Sequence, residues 1–219
     1  MARHGRRRAG RWPVQLRFPT ALTSEEYVSR KAWRDATLAH CPVHPNGGCS
    51  LARHGTYERV EPVGTRVARW YCPEGHITFS LLPDCLAARD SGSLRAIEAT
   101  VVQVEQAKSL EAAADRLRLD IELPGAMRWS RRRIKSIHGS LTIILGLLPE
   151  LFAGCQPTLG AFAQWLEVEW VLPALREIAA VHLRLLPPPL GFKPPALRGG
   201  EPKRGDQHHS GPDPPGSLR

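Results

Sequence analysis

Apolar positions change their spacing along the chain. Across residues 57–60, 65–71 and 77–81 they come in short runs separated by turns rich in proline and glycine, the pattern of short strands. From Ser93 the helical period takes over. Leu94, Ile97, Val101 and Val104 alternate spacings of three and four and so share one face. Ser109 reads as the N-cap of a second helix, with Leu110, Ala113, Ala114 and Leu117 on its buried side. A break over 119–125 precedes a third helix from about 126 to 148. A further helix is predicted from about 158 to 184, interrupted or kinked at Pro173 and stopped by Pro187, Pro188 and Pro189. Upstream, 24–39 reads as a short helix capped by Thr23 or Ser24, with Glu25 and Glu26 in its first turn.

The ends have a different character. Residues 1–22 carry Arg3, Arg6, Arg7, Arg8, Arg11 and Arg17 with few apolar anchors, which predicts a disordered basic arm. Residues 198–219 are Gly, Pro, Ser and charge, and disorder is expected there too. The 219 residues suffice for one medium domain or two small ones. Lysine and arginine outnumber aspartate and glutamate by 30 to 21, a net charge of +9. That excess favours a polyanionic partner, nucleic acid before an anionic membrane. No apolar segment of signal-peptide type follows the first arginines. The longest apolar run, 141–152, contains Pro149 and Glu150 and is too short to span a bilayer. A soluble, cytoplasmic protein without membrane segments is expected.

Two segments carry candidate chemistry: Cys41-Pro-Val-His44 and Cys72-Pro-Glu-Gly-His76. A structural zinc ion takes four soft or borderline ligands in a tetrahedron, commonly two from each of two tight turns. A gap of two or three residues lets both side chains of a turn reach one ion. The intervening residues are enough for the strands of a zinc ribbon. Cys41, His44, Cys72 and His76 are therefore the candidate zinc ligands, with Cys49, His54 and Cys85 close enough in sequence to replace one of them. An odd cysteine count, five, suits a metal site in a reducing compartment better than a disulfide framework. A catalytic zinc would need an open position and a general base, for which Glu74 is the local candidate.

The order of these motifs is familiar. Cys41-Pro-Val-His44, Arg53-His54-Gly55-Thr56-Tyr57-Glu58-Arg59, Arg69-Trp70-Tyr71-Cys72 and Thr78-Phe79-Ser80-Leu81-Leu82-Pro83-Asp84 follow one another. Over roughly residues 38–150 this resembles the zinc ribbon and helix-turn-helix that form the N-terminal, DNA-binding part of bacterial insertion-sequence transposases and of small related proteins of unassigned function. The resemblance implies a ribbon held by structural zinc, followed by a DNA-binding helical pair. Two departures stand out: His44 replaces the family's usual second cysteine, and Gly75 stands at the usual fourth cysteine with His76 next to it.

Arg128, Arg131, Arg132 and Lys135 recur at i, i+3, i+4 and i+7, one positive stripe on a helix, while Ile134, Ile137, Leu141, Ile144 and Leu148 keep helical spacing on nearly the opposite side. A recognition helix has this build, apolar inward and cationic outward. The expected DNA contacts are Arg128, Arg131, Arg132, Arg133 and Lys135, with phosphate contacts from Arg53, Arg59 and Arg69 of the ribbon. A complete transposase also needs three carboxylates on an α/β domain. Glu150, Glu167, Glu169 and Glu177 do not sit on strand patterns, so no catalytic domain and no enzyme activity are expected. The sequence thus predicts an α+β chain: a basic arm (1–22), a small β zinc ribbon (38–88), a helix-turn-helix-like region (92–150), a C-terminal helical extension (156–190) and a disordered tail (198–219). Its expected partner is double-stranded DNA, as a transposon accessory, regulator or relic, with a homo-oligomer or a transposase as further partner. The alternative is a zinc-ribbon protein-interaction module anchored by Trp165, Trp170 and Leu172.

Overall fold

A computed structural model describes residues 14–117 and 123–193 of the chain, with the side chains of Leu123 and Pro124 left aside. The fold is α+β, as the sequence predicts. Four strands, β1 (Val14–Phe18), β2 (Ala52–Glu58), β3 (Arg66–Cys72) and β4 (Ile77–Pro83), form one sheet in the order β1-β4-β3-β2. β1 runs parallel to β4, while β4–β3 and β3–β2 are antiparallel.

β1 corrects the expected disordered arm of residues 1–22. Val14, Leu16 and Phe18 alternate with Gln15 and Arg17, a period of two that lets one side of the strand pack while the other carries polar groups. Arg17 then donates to both carboxylate oxygens of Asp84, at 2.8–3.1 Å, and fastens the end of β1 to the end of β4. Residues 1–13 of the arm and the whole 198–219 tail lie outside the described residues.

Helix α1 (Ser24–Ser29) starts with a complete capping box: Thr23 Oγ1 accepts from the Glu26 N–H, and Glu26 Oε2 accepts from the Thr23 N–H. The expected helix over 24–39 ends early, because Lys31 adopts a left-handed backbone (φ 53°) and a single 3-10 turn, Ala32–Arg34, follows. α2 (Leu94–Gln106) and α3 (Leu110–Leu117) match the predicted periodicity and carry the predicted caps, Ser93 and Ser109. α4 (Leu123–Leu147) starts three residues before the predicted position and runs unbroken past Gly139 and Gly146, both exposed.

The single helix predicted over 158–184 is instead two, α5 (Leu159–Leu166) and α6 (Val171–Ile178). The break falls at Glu167, which is left-handed at φ 52°. Pro173 lies in the first turn of α6, where a missing N–H costs no intrahelical hydrogen bond.

The elements share a core. Val67, Leu82 and Leu86 of the ribbon segment, Ile97 and Val101 of α2, Ile137 and Leu141 of α4, and Phe162, Leu172 and Leu175 of the C-terminal helices are all buried in one cluster. Residues of 38–88, 92–150 and 156–190 thus all contribute to this cluster. A second, smaller cluster of Cys41, Cys72, Ile77 and Phe79 lies on the sheet face that bears the cysteines.

Candidate metal centre and cationic helix

Two tight turns bring the first ligands together. In the first, the His44 N–H donates to the Cys41 carbonyl at 3.1 Å, which folds the Cys-Pro-Val-His segment back on itself. In the second, at the end of β3, Cys72 is fully buried, the His76 N–H closes the turn on the Pro73 carbonyl, and the Gly75 N–H donates to Cys72 Sγ at 3.3 Å. His44 Nδ1 then lies 3.5 Å from Cys41 Sγ and 3.3 Å from Cys72 Sγ.

The fourth donor is Cys49. The candidate ligand atoms of Cys41, His44, Cys49 and Cys72 all lie within 4.8 Å of one another, a set that could hold a metal ion. Cys49 reaches this point because Gly47 and Gly48 both take positive φ (86° and 81°) and turn the chain back toward the first turn.

His76, expected as a ligand, lies outside the cluster. Its backbone is left-handed (φ 49°), and its exposed ring has Nδ1 3.4 Å from Tyr71 Oη. Gly75 explains the change. A Cβ there would sit 3.3 Å from Cys72 Sγ and 3.7 Å from a carbon of the His44 ring. The position points at the centre, but its glycine supplies an N–H to sulfur instead of a thiolate. Of the three alternatives read from the sequence, Cys49 enters the set. Cys85 is buried in the main core, where burial pushes its thiol up to about 12, and His54 packs on Tyr71.

The electrostatics fit a cation at this point. Burial works against ionisation of Cys41, but the His44 ring and the backbone N–H groups of Val43 and His44 outweigh it and pull the thiol down to about 6. Burial and the neighbouring Cys41 push Cys49 up to about 11. Thiols converging on one point resist losing all their protons together unless a cation is bound between them. Glu74, the candidate base, is a brace: its carboxylate accepts the Ser50 N–H at 3.1–3.2 Å and ties the second turn to the Cys49 segment.

The cationic residues fall into separate groups. On α4, Arg128, Arg131, Arg132 and Lys135 are all exposed, while Ala126, Ser130, Ile137, Leu141 and Ile144 face inward. Arg133, expected among the DNA contacts, is turned away from that stripe: it pairs with Asp90 at 3.1 Å and lies over the Trp129 ring. The ribbon arginines do not form one surface either. Arg53 donates to the carbonyls of Trp33 and Arg34, and Arg59 donates to the carbonyl of Asp90. Arg69 is half-buried on the opposite sheet face from Arg53, since its neighbour Trp70 is the residue that pairs with Arg53.

Of the residues expected to anchor a protein partner, Leu172 is fully buried and Trp170 lies beneath the Arg95 guanidinium, whereas Trp165 is about half exposed. Among the described residues, no helix is long and apolar enough to cross a membrane. No protein-family model, no curated protein and no solved structure matches this chain.

Proposed function

We propose that the chain is a zinc-stabilised, DNA-binding protein that holds duplex DNA on the exposed stripe of α4. The observation that carries this reading is that Arg128, Arg131, Arg132 and Lys135 are exposed together on one side of a helix whose other side is buried. Such a face presents several phosphate ligands at once, and arginine can also address guanine edges in the major groove.

Zinc is the metal that suits the donor set. Three sulfurs and one imidazole nitrogen match a closed structural site, and bond lengths of ~2.3 Å to sulfur and ~2.0 Å to nitrogen put tetrahedral S···N separations at roughly 3.5 Å. The observed 3.5 and 3.3 Å agree. The role is structural: the ion would clamp the 41–49 segment to the end of β3. The relation to the DNA-binding half of transposases rests on the order of motifs along the chain, and a role as accessory, regulator or relic follows from it.

The test is the salt dependence of duplex binding by the zinc-loaded chain. Each phosphate contact contributes about 0.9 to the slope of log affinity against log salt. Alanine at Arg128, Arg131, Arg132 and Lys135 together should lower that slope by up to about 3.6 and weaken binding for all sequences. Unchanged affinity and slope in the quadruple variant would rule out the stripe as the DNA surface.

A further inference from the structure

The sheet has a second face that neither the metal site nor the helical core uses fully. Residues paired across strands lie on the same face, so Gln15, Ser80 and Arg69 form a row from β1 through β4 to β3, and Thr78 and Tyr71 begin the next row. On β2 the register shifts between Arg53 and Thr56, which sets His54 and Gly55 against Arg69. Gly55 takes a positive φ of 72°, the bulge geometry that re-aims a neighbouring side chain. The His54 ring consequently packs on Tyr71, with centroids 5.5 Å apart and planes at 40°.

Val67 and Leu82, farther along the same face, are buried under the helices. The end carrying Tyr71, Thr78 and His54 is open: His54 and the adjoining His76 are exposed, and Tyr71 and Thr78 are half-buried. This end carries two rings, a guanidinium and several hydrogen-bonding groups, with no carboxylate among the residues named. Two of its polar atoms, Arg69 Nε and Gln15 Oε1, are buried without a hydrogen-bond partner among the described residues. β1 runs parallel to β4, so Val14 lies level with Phe79, at the Thr78 end of the sheet.

We propose that this face is a binding surface for single-stranded nucleic acid, separate from the duplex surface on α4. Tyr71 and His54 offer ring faces to unpaired bases, and Arg69 offers its guanidinium to the backbone between them. None of these residues is a carboxylate, which suits a polyanion. A duplex keeps its base faces stacked inside and would leave the two rings unused. The inference does not rest on the α4 reading.

The experiment uses the full-length, zinc-loaded chain with a fluorescent oligothymidylate of roughly 12 nucleotides, within the span that such platforms cover, and a duplex of equal length. His54→Ala, Tyr71→Leu and Arg69→Gln together should weaken oligothymidylate binding about tenfold or more and leave duplex binding unchanged. The α4 quadruple alanine variant should do the reverse. Failure of the parent chain to bind the oligonucleotide would overturn the proposal, as would a triple variant that binds it equally well. Equal losses for strand and duplex would overturn it too, since they would point to one shared phosphate surface. Should the triple variant lose its zinc, photo-crosslinking of the parent to a 4-thiothymidine oligonucleotide decides the matter. Adducts on His54 or Tyr71 support the surface, and adducts confined to α4 or none at all refute it.

Discussion

At the scale of single residues, the metal site turns on a trade between Cys49 and His76. The Cys–His pairs at 41/44 and 72/76 are legible because ligand spacing within a tight turn is a local property, and three of the four expected ligands do converge. The fourth depends on backbone conformation that spacing does not encode: positive φ at Gly47 and Gly48 brings Cys49 in, and the left-handed turn at His76 takes that ring out. Gly47-Gly48 beside a cysteine was the available signal, since paired glycines permit a sharp reversal. Cys49→Ser should therefore lower zinc affinity by roughly 100-fold or more, beyond the ~10–100-fold typical of losing an outer-shell partner. His76→Ala should retain one zinc per chain with affinity close to the parent. Competition against a chromophoric chelator reads both, and the reverse ranking would return His76 to the ligand set. Gly75→Ala should also loosen the site, because its Cβ would meet Cys72 Sγ at 3.3 Å and crowd the sulfur that the ion needs.

At the scale of elements, α2 does more than pack. Glu98 and Glu105 lie seven residues apart and so fall on the same side of the helix, and each carboxylate caps a C-terminal helix. Glu98 Oε1 and Oε2 accept the Val171 and Leu172 N–H groups at 2.6 and 2.8 Å, at the start of α6. Glu105 accepts the Leu159 and Gly160 N–H groups at the start of α5 and also bonds His138 Nε2 at 2.7 Å. These pairings join residues 33 to 74 positions apart and leave no periodic trace, so they were not legible in the sequence. The periodicity of α2 itself was, because its buried face follows the spacing of Leu94, Ile97, Val101 and Val104. β1 could also have been found, since Val14, Leu16 and Phe18 alternate strictly, but five nearby arginines made the segment read as solvated. The Glu98 cap carries a pH signature. Burial raises its titration above the ordinary carboxylate range, and the Leu172 and Val171 N–H groups only partly oppose that. A carboxyl whose pKa is raised in the folded state favours folding below its unfolded pKa and loses that contribution as pH rises through the folded value. The stability difference between the parent and Glu98→Gln should thus shrink as pH is raised from about 5 and then level off. Urea midpoints across that range measure it, and a difference independent of pH would show that Glu98 titrates as an ordinary carboxyl.

For the molecule as a whole, the question is what binds the sheet to the C-terminal helices, since no short-range pattern links them. Arg176 of α6 is fully buried and donates to four carbonyls: Pro83 at the end of β4, Leu86 just after it, and Pro189 and Leu190 near the end of the described residues. Its guanidinium also lies 5.5 Å from the centre of the Phe192 ring. Burial lowers its pKa to about 10 against the opposing pull of Asp84, so the group remains cationic at neutral pH. A planar fork with five donors can serve carbonyls from two segments at once, which lysine, with three donors on a flexible stem, cannot reproduce. In the sequence Arg176 is one arginine among many in a basic chain, and nothing marks it as interior. The cost of losing it follows from what stays behind. Arg176→Met keeps much of the volume but strands buried carbonyls, each worth about 1–3 kcal/mol when left unpaired. A destabilisation of about 4 kcal/mol or more is expected, in the range reserved for broken buried networks. For a chain of this size that corresponds to a fall of roughly 10 °C in melting temperature. Arg176→Lys should recover part of the loss but not all. Urea denaturation of the zinc-loaded variants, followed by both tryptophan fluorescence and far-UV circular dichroism, measures the effect. A methionine variant within about 1 kcal/mol of the parent, well under the cost of unpaired carbonyls, would mean that apolar packing alone holds α6 and the last turn against the sheet.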